Sequence, residues 1–379
     1  MGFGFNACSL LIHRNRSTCT VSSAWQKMMG ILMSLNSSIC VAGAGNIGCF
    51  VGGLLAAAGH RVTFLGRSRV ISELQAHGLH LTSFEGFSRD VAASHLALSD
   101  DPAVMGAADI ILVAVKSSDT ASMADIIAQH AKPGAIVVSL QNGVGNVALL
   151  RGKLPNSAVL GGMVPFNVTA PGEGRFHRAT SGDIVIEADP TGVAGRLSVP
   201  SLTVKATDNI TGVQWGKLLI NLGNALNALS NLPLRDQLSQ RPWRMLHAAQ
   251  MREGLRAMRA ASIKPVPPTP LPAAALPYVL ALPDGLFRRV AARMVDIDPH
   301  ARSSMWDDLQ RGRQTEIDEL QGVIKALGDT HGVAVPLTRH IYSLVKQAEA
   351  AGKGSPGLTP DVVGAYGLHW DVDRTWPPQ

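Results

Sequence analysis

The sequence lacks the cysteine patterns that metal sites and disulfide frameworks require. Its four cysteines, Cys8, Cys19, Cys40 and Cys49, all lie in the first 50 of 379 residues, without a CxxC spacing or a histidine cluster beside them. Cys40 falls in a predicted strand and Cys49 in a predicted helix, where cysteine behaves as a small apolar residue. We therefore expect no metal site, no disulfide framework and a reducing, cytoplasmic location.

Charged residues are also scarce, at 16% of the chain against 46% hydrophobic residues, which is typical of close-packed globular proteins. The net charge of +6 is modest, although a mild positive field would suit an anionic cofactor or a carboxylate substrate. Arginines cluster on one predicted helix without the interleaved aromatic residues of a nucleic-acid surface, so we expect a solvated face and no nucleic-acid partner. These arginines are Arg241, Arg244, Arg252, Arg256 and Arg259.

Acidic residues are absent from residues 1–36, which contain arginines, serines and internal methionines. Their composition resembles a transit peptide and also an upstream extension before the true start; we favour the extension and expect it to be disordered. The next stretch, Ile39 to Gly59, is uncharged and has the length of a signal anchor. Its internal glycines and strand-like first residues favour part of a soluble domain instead, so no membrane partner is expected.

Apolar strands alternate with helices in the first half of the chain, which predicts a parallel sheet covered on both faces. The main predicted strands are Ile39 to Ala42, Arg61 to Leu65, Asp109 to Val115 and Ala135 to Leu140. Shorter ones at Val159 to Val164, Asp183 to Glu187 and Leu202 to Lys205 extend the sheet. We predict an α/β fold with an N-terminal Rossmann-type, doubly wound parallel sheet over residues 37–206.

Beyond Ala206 the strand signals give way to long helical ones, and the chain has length enough for a second domain. Helices are predicted at Gln214 to Ser230, Gln240 to Ala261 and Thr315 to Gly328, and another enters Ser304. The run Lys264 to Pro277 is too rich in proline for a regular element. We predict a C-terminal all-helical domain over residues 207–350, a loose tail over residues 351–379, and a cleft between the domains.

The sequence GAGNIG is a G-x-G-x-x-G motif that directly follows a predicted strand and opens a predicted helix. In that context Gly43 permits a tight turn, Gly45 lets a pyrophosphate approach the backbone, and Gly48 allows the helix to pack closely on the strand. The predicted cofactor contacts are Gly43, Ala44, Gly45, Asn46, Ile47 and Gly48. The alternative is that the glycines serve only a tight turn.

The second predicted strand ends in FLGRSR, without the carboxylate that would bind the ribose hydroxyls of NAD. Arg67, with Ser68 and Arg69 beside it, could instead bind a 2′-phosphate through charge-assisted hydrogen bonds. The sequence therefore favours NADP(H), although surface arginines would give the same pattern. Lys116 and Asn142 also follow predicted strands, where doubly wound sheets bind their ligands, and a cofactor role is favoured over a solvated tip or a simple turn.

A polar stripe runs along the otherwise apolar helix WGKLLINLGNALNALS. At 100° per residue, Asn221 lies about +40° and Asn224 about −20° from Lys217 around the helix axis. Asparagine is an indifferent helix former, so propensity does not explain the stripe. A solvated face is one interpretation, but such faces usually carry several charges. The other interpretation is a wall of a binding site.

From about Ile39 to Val345 the chain resembles the ketopantoate reductase family (2-dehydropantoate 2-reductase). The resemblance rests on GAGNIG, Lys116, QNG at Gln141 to Gly143, WGKLLIN, and SSMWDDLQRGRQTEID at Ser303 to Asp318. It implies NADPH-dependent reduction of 2-dehydropantoate to pantoate, on the way to pantothenate and coenzyme A.

The resemblance also implies a role for each matching residue. Lys217 would donate the proton to the substrate carbonyl, while Asn221, Asn224 and Ser304 would hold the substrate, Ser304 at its carboxylate end. Lys116 and Asn142 would contact the cofactor, Asn142 also beside the substrate. Glu316 would lie beside cofactor and substrate, where its charge would raise the pKa of Lys217 against the effect of burial.

Two features depart from the family pattern. Family members usually place the second asparagine at the position of Ala225, whereas this chain has Asn224, and the proline-rich stretch 264–277 is an insertion. Ser304 and Glu316 would be about 18 Å apart on one straight helix. We therefore expect a break at Gly312, with a new helix starting at TEID and Ser303 or Ser304 capping the preceding one. The alternative makes both serines caps and Glu316 a first-turn partner of the helix dipole.

Three functions are compatible with these residues. The first is reduction of 2-dehydropantoate, and the second is the same chemistry on another 2-oxo acid or a β-dicarbonyl compound. The third is a non-catalytic NADP(H)-binding sensor, which would need no proton donor. The expected partner is a small 2-oxo acid, bound by a monomer or homodimer.

Overall fold

The computed structural model describes residues 37–291 and 298–365, so the predicted extension over residues 1–36 lies outside the described residues. The strands are β1 Ser38–Ala42, β2 Arg61–Leu65, β3 Leu79–Ser83, β4 Ser88–Val91, β5 Ala97–Ser99, β6 Ile110–Val113, β7 Ile136–Ser139, β8 Ala158–Met163, β9 Val168–Gly172, β10 Arg175–Arg178, β11 Ile184–Glu187 and β12 Val204–Thr207.

The helices of the α/β region are α1 Asn46–Ala57, α2 Ser68–His77, α3 Thr120–His130, α4 Asn146–Lys153 and α5 Val193–Leu197. Those of the helical region are α6 Ile210–Asn221, α7 Gly223–Ser230, α8 Leu234–Ser239, α9 Arg241–Ala260, α10 Leu276–Ala281, α11 Asp284–Val290, α12 Ser304–Gln310, α13 Val323–His331, α14 Pro336–Ala351 and α15 Pro360–Gly364. A π-helical segment, Asp318–Gly322, precedes α13.

The main sheet has eight strands in the order β12-β11-β8-β7-β6-β1-β2-β5. The neighbouring strands β8, β7, β6, β1, β2 and β5 all pair in parallel, which confirms the Rossmann-type sheet. Successive residues of a strand point to opposite faces, and both faces of β1 are buried: Val41 belongs to one apolar core and Cys40 to the other. Helices therefore cover the sheet on both sides, as its uninterrupted apolar strands predicted.

The late strands differ from the prediction in direction. β11 pairs antiparallel with β8, and β12 pairs parallel with β11, so these two strands extend the sheet but run opposite to the others. A four-stranded second sheet, in the order β4-β3-β10-β9, was not predicted from the sequence. Its residues Leu79 and Leu81 contact α1 at Gly53, where an added Cβ would lie 2.8 Å from Leu81 Cδ1. The second sheet thus covers the helix that begins at the glycine motif.

The helical region has a separate apolar core, and its element boundaries depart from the predicted ones in two places. The helix predicted at Gln214 to Ser230 is divided into α6 and α7 at Leu222. The predicted helix start at Thr315 was wrong, because the helical segment begins with the π-helix and continues into α13. The predicted break between Ser304 and Glu316 is present, with Gly312 at a positive φ of 60°.

The predicted loose tail does not describe residues 351–365. Leu358 N–H donates to the Leu229 carbonyl (2.8 Å), and the Ser355 hydroxyl donates to the Ala228 carbonyl (2.6 Å). Val363 is fully buried, so this segment packs against α7 and the helical core. The remainder of the predicted tail, residues 366–379, lies outside the described residues.

No helix in residues 37–291 and 298–365 combines the length and apolar character needed to cross a bilayer. The uncharged run that resembled a signal anchor forms β1 and α1. Within the same ranges, no cluster of three or more histidine, cysteine or acidic side chains is arranged to hold a metal ion. Cys40 and Cys49 are buried free thiols.

The proline-rich segment 264–277 crosses directly over the helix that carries the polar stripe. Val266 N–H donates to the Gly212 carbonyl (2.8 Å), and a Cβ on Gly216 would lie 2.2 Å from the Val266 carbonyl. The glycine of the WGKLLIN motif therefore has a packing reason, because any side chain at this position would displace the crossing segment.

Gly216→Ala is expected to lower the free energy of unfolding by about 1–3 kcal/mol, because the added methyl group overpacks a backbone contact. The matched control is Gly152→Ala on α4, where no atom lies within 4 Å of the added Cβ, and where alanine should be neutral or stabilising by up to about 1 kcal/mol. Urea denaturation of both variants measures the difference. Equal stability of the two variants would contradict the packing argument.

Candidate active site

The glycine motif forms a turn between β1 and α1 that only glycine fits at two of its positions. Gly43 has a φ of +112°, and a Cβ there would lie 2.8 Å from the Val115 nitrogen; a Cβ on Gly48 would lie 2.2 Å from the Gly43 carbonyl oxygen. At Gly45, by contrast, the nearest atom to an added Cβ is 3.9 Å away. The turn is therefore closed at Gly43 against the chain that follows β6 and at Gly48 against β1 and the turn itself, and it is open at Gly45, where a ligand can approach the backbone.

The start of α1 has the features of an anion-binding helix terminus. Gly45 caps the helix without a side-chain hydrogen bond, and the first turn has no acidic residue. Ala44 is buried, Ile47 lines the adjoining cleft, and the Asn46 side chain donates to the Val168 carbonyl (2.9 Å). The residues fit a dinucleotide pyrophosphate because the first N–H groups of a helix have no partner within the helix, and no acidic side chain opposes an anion in this first turn.

Arg67 lies at the end of β2 with an 88% exposed side chain, 3.4 Å from the half-exposed Asp119 carboxylate. An exposed pair at this distance contributes little stability, so the guanidinium can readily exchange Asp119 for another anion. Sequence reasoning missed Asp100, which follows the neighbouring strand β5 and accepts a hydrogen bond from the Ser68 hydroxyl (2.6 Å). A carboxylate is thus present near the end of β2, although it comes from a different strand.

A cleft with a cavity volume of about 110 Å³ lies between the α/β region and the helical region. The α/β region contributes the start of α1, the ends of β7 and β8, and the chain leading into β9. The lining residues from this region are Asn46, Ile47, Leu140, Asn142, Val164, Phe166, Asn167, Val168 and Thr169. The helical region contributes Lys217, Asn221, Asn224, Arg302, Ser304 and Asp307.

Lys217 is half-buried in this cleft, and its Nζ donates a hydrogen bond to the Pro165 carbonyl (2.8 Å). Burial disfavours the charged form and lowers the pKa of Lys217 from 10.5 to about 8. An amine with this pKa is mostly protonated at neutral pH, and it releases its proton much more readily than an exposed lysine. Lys217 can therefore act as an acid in the cleft.

Asn221 and Asn224 line the same cleft as Lys217, so the polar stripe is a wall of the cleft and not a solvated face. Asn221 is 5% exposed and Asn224 is half-buried, whereas Ala225, at the usual family position of the second asparagine, is fully buried in the helical core. The amide of Asn224 thus faces the ligand space, and the side chain of residue 225 contributes to packing.

Buried polar side chains support the point where α6 meets α7, between the two asparagines. The Leu222 carbonyl accepts hydrogen bonds from Gln321 Nε2 (2.9 Å) and Gln250 Nε2 (3.4 Å). The ring of His247 packs where Gly223 has no side chain, since a Cβ there would lie 2.8 Å from His247 Cε1. Burial lowers the pKa of His247 to about 4, so this ring is neutral at physiological pH.

Glu316 and Asn142 contact each other, but neither pairs with Lys217 in the described part of the chain. Glu316 Oε2 accepts from Asn142 Nδ2 (3.2 Å), and Oε1 accepts from the Ser117 hydroxyl (3.2 Å) and backbone N–H (3.3 Å). The expectation that Glu316 raises the pKa of Lys217 was wrong, because burial alone accounts for the shift. Glu316 instead binds the turns that follow β6 and β7.

Lys116 lies outside the cleft lining and connects the two regions. Its Nζ lies 2.8 Å from Asp308, a carboxylate with 7% exposure, and donates to the Gln314 carbonyl (3.0 Å). Ser304, by contrast, lines the cleft as the first residue of α12. The cap of α12 is Ser303, whose hydroxyl accepts from Trp306 N–H (3.2 Å). Ser303 therefore caps the helix, whereas Ser304 lines the cleft.

Sequence reasoning missed Arg302 and Asp307 among the charged residues of the cleft. Asp307 lies in the motif that starts at Ser303 and Arg302 directly precedes that motif, so their proximity to Ser304, a predicted substrate residue, was the available signal. Arg302 donates through Nη1 to the Asn231 carbonyl (2.7 Å), and its guanidinium lies 4.2 Å from the centre of the Trp306 ring. Burial raises the pKa of Asp307, while Arg311 and other nearby cations lower it.

A Rossmann-type sheet, an open glycine turn and a lysine-bearing cleft against a helical region together define a class of two-region oxidoreductases. The family model Ketopantoate reductase PanE/ApbA matches residues 39–190, and Ketopantoate reductase PanE/ApbA C terminal matches residues 209–349. The 2-dehydropantoate 2-reductase of Halobacterium salinarum is 30% identical over 323 residues, which cover 83% of this chain and 99% of that protein. The chain belongs to the ketopantoate reductase family.

Solved structures agree on the fold. The PanE/ApbA family ketopantoate reductase from Ralstonia eutropha JMP134 matches with a TM-score of 0.70 and 31% identity, covering 83% of this chain and 99% of that one. A D-mandelate dehydrogenase, solved with NADH and anilino(oxo)acetate, matches with a TM-score of 0.69 and 21% identity over the same shares of the two chains. The same fold thus occurs in proteins named for different substrates.

Proposed function

We propose that this protein reduces 2-dehydropantoate to pantoate with NADPH, and that Lys217 donates the proton. The observation that carries the proposal is the half-buried ammonium of Lys217, with a pKa near 8, in a cleft that begins at the open glycine turn. A non-catalytic NADP(H) sensor would not need an acid of this kind. The free, buried thiols of Cys40 and Cys49 also suit the reducing cytoplasm that we propose as its location.

The cofactor would lie along the turn at Gly45 and the start of α1, and it would supply a hydride to the ketone carbon of the substrate. The carbonyl oxygen then gains negative charge and needs a proton, which the Lys217 ammonium can provide. Asn221 and Asn224 can hydrogen-bond the substrate without adding charge beside that lysine. Ser304 lines the cleft with a hydroxyl group for the carboxylate end, and Asn142, which donates a hydrogen bond to Glu316, would contact the cofactor.

Steady-state oxidation of NADPH over a panel of 2-oxo acids tests the reaction. We expect the highest kcat/KM with 2-dehydropantoate. A preference for another 2-oxo acid would support the alternative substrate, which the shifted asparagine at Asn224 favours. If the enzyme reduces no member of a panel that includes 2-dehydropantoate, the proposed reaction is wrong.

The pH profile of the reaction tests Lys217. Because burial lowers its pKa to about 8, the protonated form is lost as pH rises through that value, and kcat for reduction should fall about tenfold per pH unit above it. Oxidation of the alcohol, which needs the neutral amine, should show the opposite dependence. Lys217→Ala should lower kcat for reduction by about 10²–10⁴-fold and remove this slope. An unchanged rate and profile in that variant would exclude Lys217 as the donor.

Arg67 tests the choice between NADPH and NADH. If its exposed guanidinium binds the 2′-phosphate, Arg67→Gln should raise KM for NADPH by about tenfold or more and leave KM for NADH nearly unchanged, since one charge-assisted interaction is lost. Arg89→Gln, at an exposed arginine of β4, is the control for the loss of one positive charge. Equal effects of Arg67→Gln on both cofactors would contradict the assignment.

A further inference from the structure

The cleft has two cationic side chains among its lining residues, Lys217 and Arg302. The Lys217 ammonium is required at the ketone oxygen, where it gives up its proton. A 2-oxo acid also carries a full negative charge on the adjacent carboxylate, and a hydroxyl such as that of Ser304 supplies no compensating charge. Moving an unpaired carboxylate out of water is unfavourable. The second cation of the cleft, Arg302, is therefore a candidate partner for the substrate carboxylate.

Neighbouring side chains hold the guanidinium of Arg302 in place. It stacks over Trp306 at 4.2 Å from the ring centre, and its Nη1 donates to the Asn231 carbonyl (2.7 Å). Trp306 is fixed in turn, because its Nε1 donates to Asn231 Oδ1 (2.8 Å). Asn231 has a φ of 58° at the turn that follows α7, where asparagine is one of the few suitable residues. A guanidinium held in this way loses little side-chain entropy when it binds an anion.

The hydrogen bonds of Arg302 found within the described residues use only Nη1, so Nε and Nη2 can still donate to a ligand. Asp307 lines the same cleft, but no ion pair within 4.0 Å joins it to Arg302 in the described part of the chain. The guanidinium is therefore not neutralised by direct contact. Its charge, half-buried position and remaining donors are those of a carboxylate-binding group.

We propose that Arg302 binds the carboxylate of the substrate and makes this cleft selective for 2-oxo acids over neutral ketones. This inference rests on the proposed reduction of a 2-oxo acid. Ser304 and Asn224 complete the polar surroundings, while Trp306 and Asn231 act as positioning residues for the guanidinium.

The test compares each 2-oxo acid with its methyl ester, which keeps the ketone and removes the negative charge. In the Arg302→Gln variant we expect kcat/KM for the acid to fall about 10- to 100-fold, mainly through KM, as one charge-assisted interaction is lost. Activity with the ester should change by less than about threefold, so the wild-type preference for the acid should largely disappear. The Arg302→Lys variant keeps the charge but not the planar fork. Its acid-to-ester ratio of kcat/KM should lie between those of the wild-type enzyme and the Arg302→Gln variant.

Arg311→Gln is the matched control, because Arg311 follows α12 and also lowers the pKa of Asp307 but does not line the cleft. It should leave the acid-to-ester ratio within twofold of wild type. A ratio that stays within threefold of wild type in Arg302→Gln would overturn the inference for Arg302. Retained ester turnover shows that the variant is folded, and the Arg302→Lys ratio provides the same test if the glutamine variant is unstable. Failure of the wild-type enzyme on every acid would instead contradict the proposed reaction.

Discussion

The contact between α6 and the end of β8 determines the geometry of the cleft. Gln214 donates to the Gly162 carbonyl (3.0 Å), and three residues further along the helix Lys217 donates to the Pro165 carbonyl (2.8 Å). Gly161 has no side chain to separate the two elements, and a Cβ there would lie 3.1 Å from Ile210. Close approach removes the lysine from water, and that loss of hydration lowers its pKa to about 8. The acid strength of the site is thus a consequence of packing.

Two further polar connections join the same two regions. Lys116 pairs with the buried Asp308, and Glu316 accepts hydrogen bonds from Ser117 and Asn142. Both join the turns after β6 and β7 to the chain around α12, so they help to fix α12, and with it Ser304, relative to the sheet. Lys116 and Glu316 were predicted to contact the cofactor; in this structure they connect the two regions.

The two regions contribute different chemistry. The α/β region offers backbone groups at the start of α1, which suit a phosphate because their position is fixed and they cannot lose a proton. The helical region offers side chains: an ammonium, a guanidinium, two amides, a hydroxyl and a carboxylate. Side chains can change without disturbing the sheet, which gives a physical reason why one fold serves proteins named for different 2-oxo and 2-hydroxy acids.

Local patterns in the sequence determined much of this protein. Apolar runs and the glycine motif gave the parallel strands and α1, and helical spacing placed Lys217, Asn221 and Asn224 on one face. The second sheet was not predictable in this way, because strands such as Leu79–Ser83 are short and half-polar and are stabilised by partners far away in the chain. The direction of β11 and β12 likewise depends on connections, which leave no local signal.

Only the tertiary structure decided which charges meet. The sequence suggested that Glu316 would tune Lys217, yet Glu316 binds Ser117 and Asn142, and Lys116 binds Asp308. Proximity to Ser304 was the only signal for Arg302, because the position of its guanidinium depends on a turn at Asn231 and a ring at Trp306. Periodicity shows which face of one helix is polar. The partners of that face are set by how separate elements pack. Those contacts join residues that are far apart in the chain, so no local spacing in the sequence predicts them.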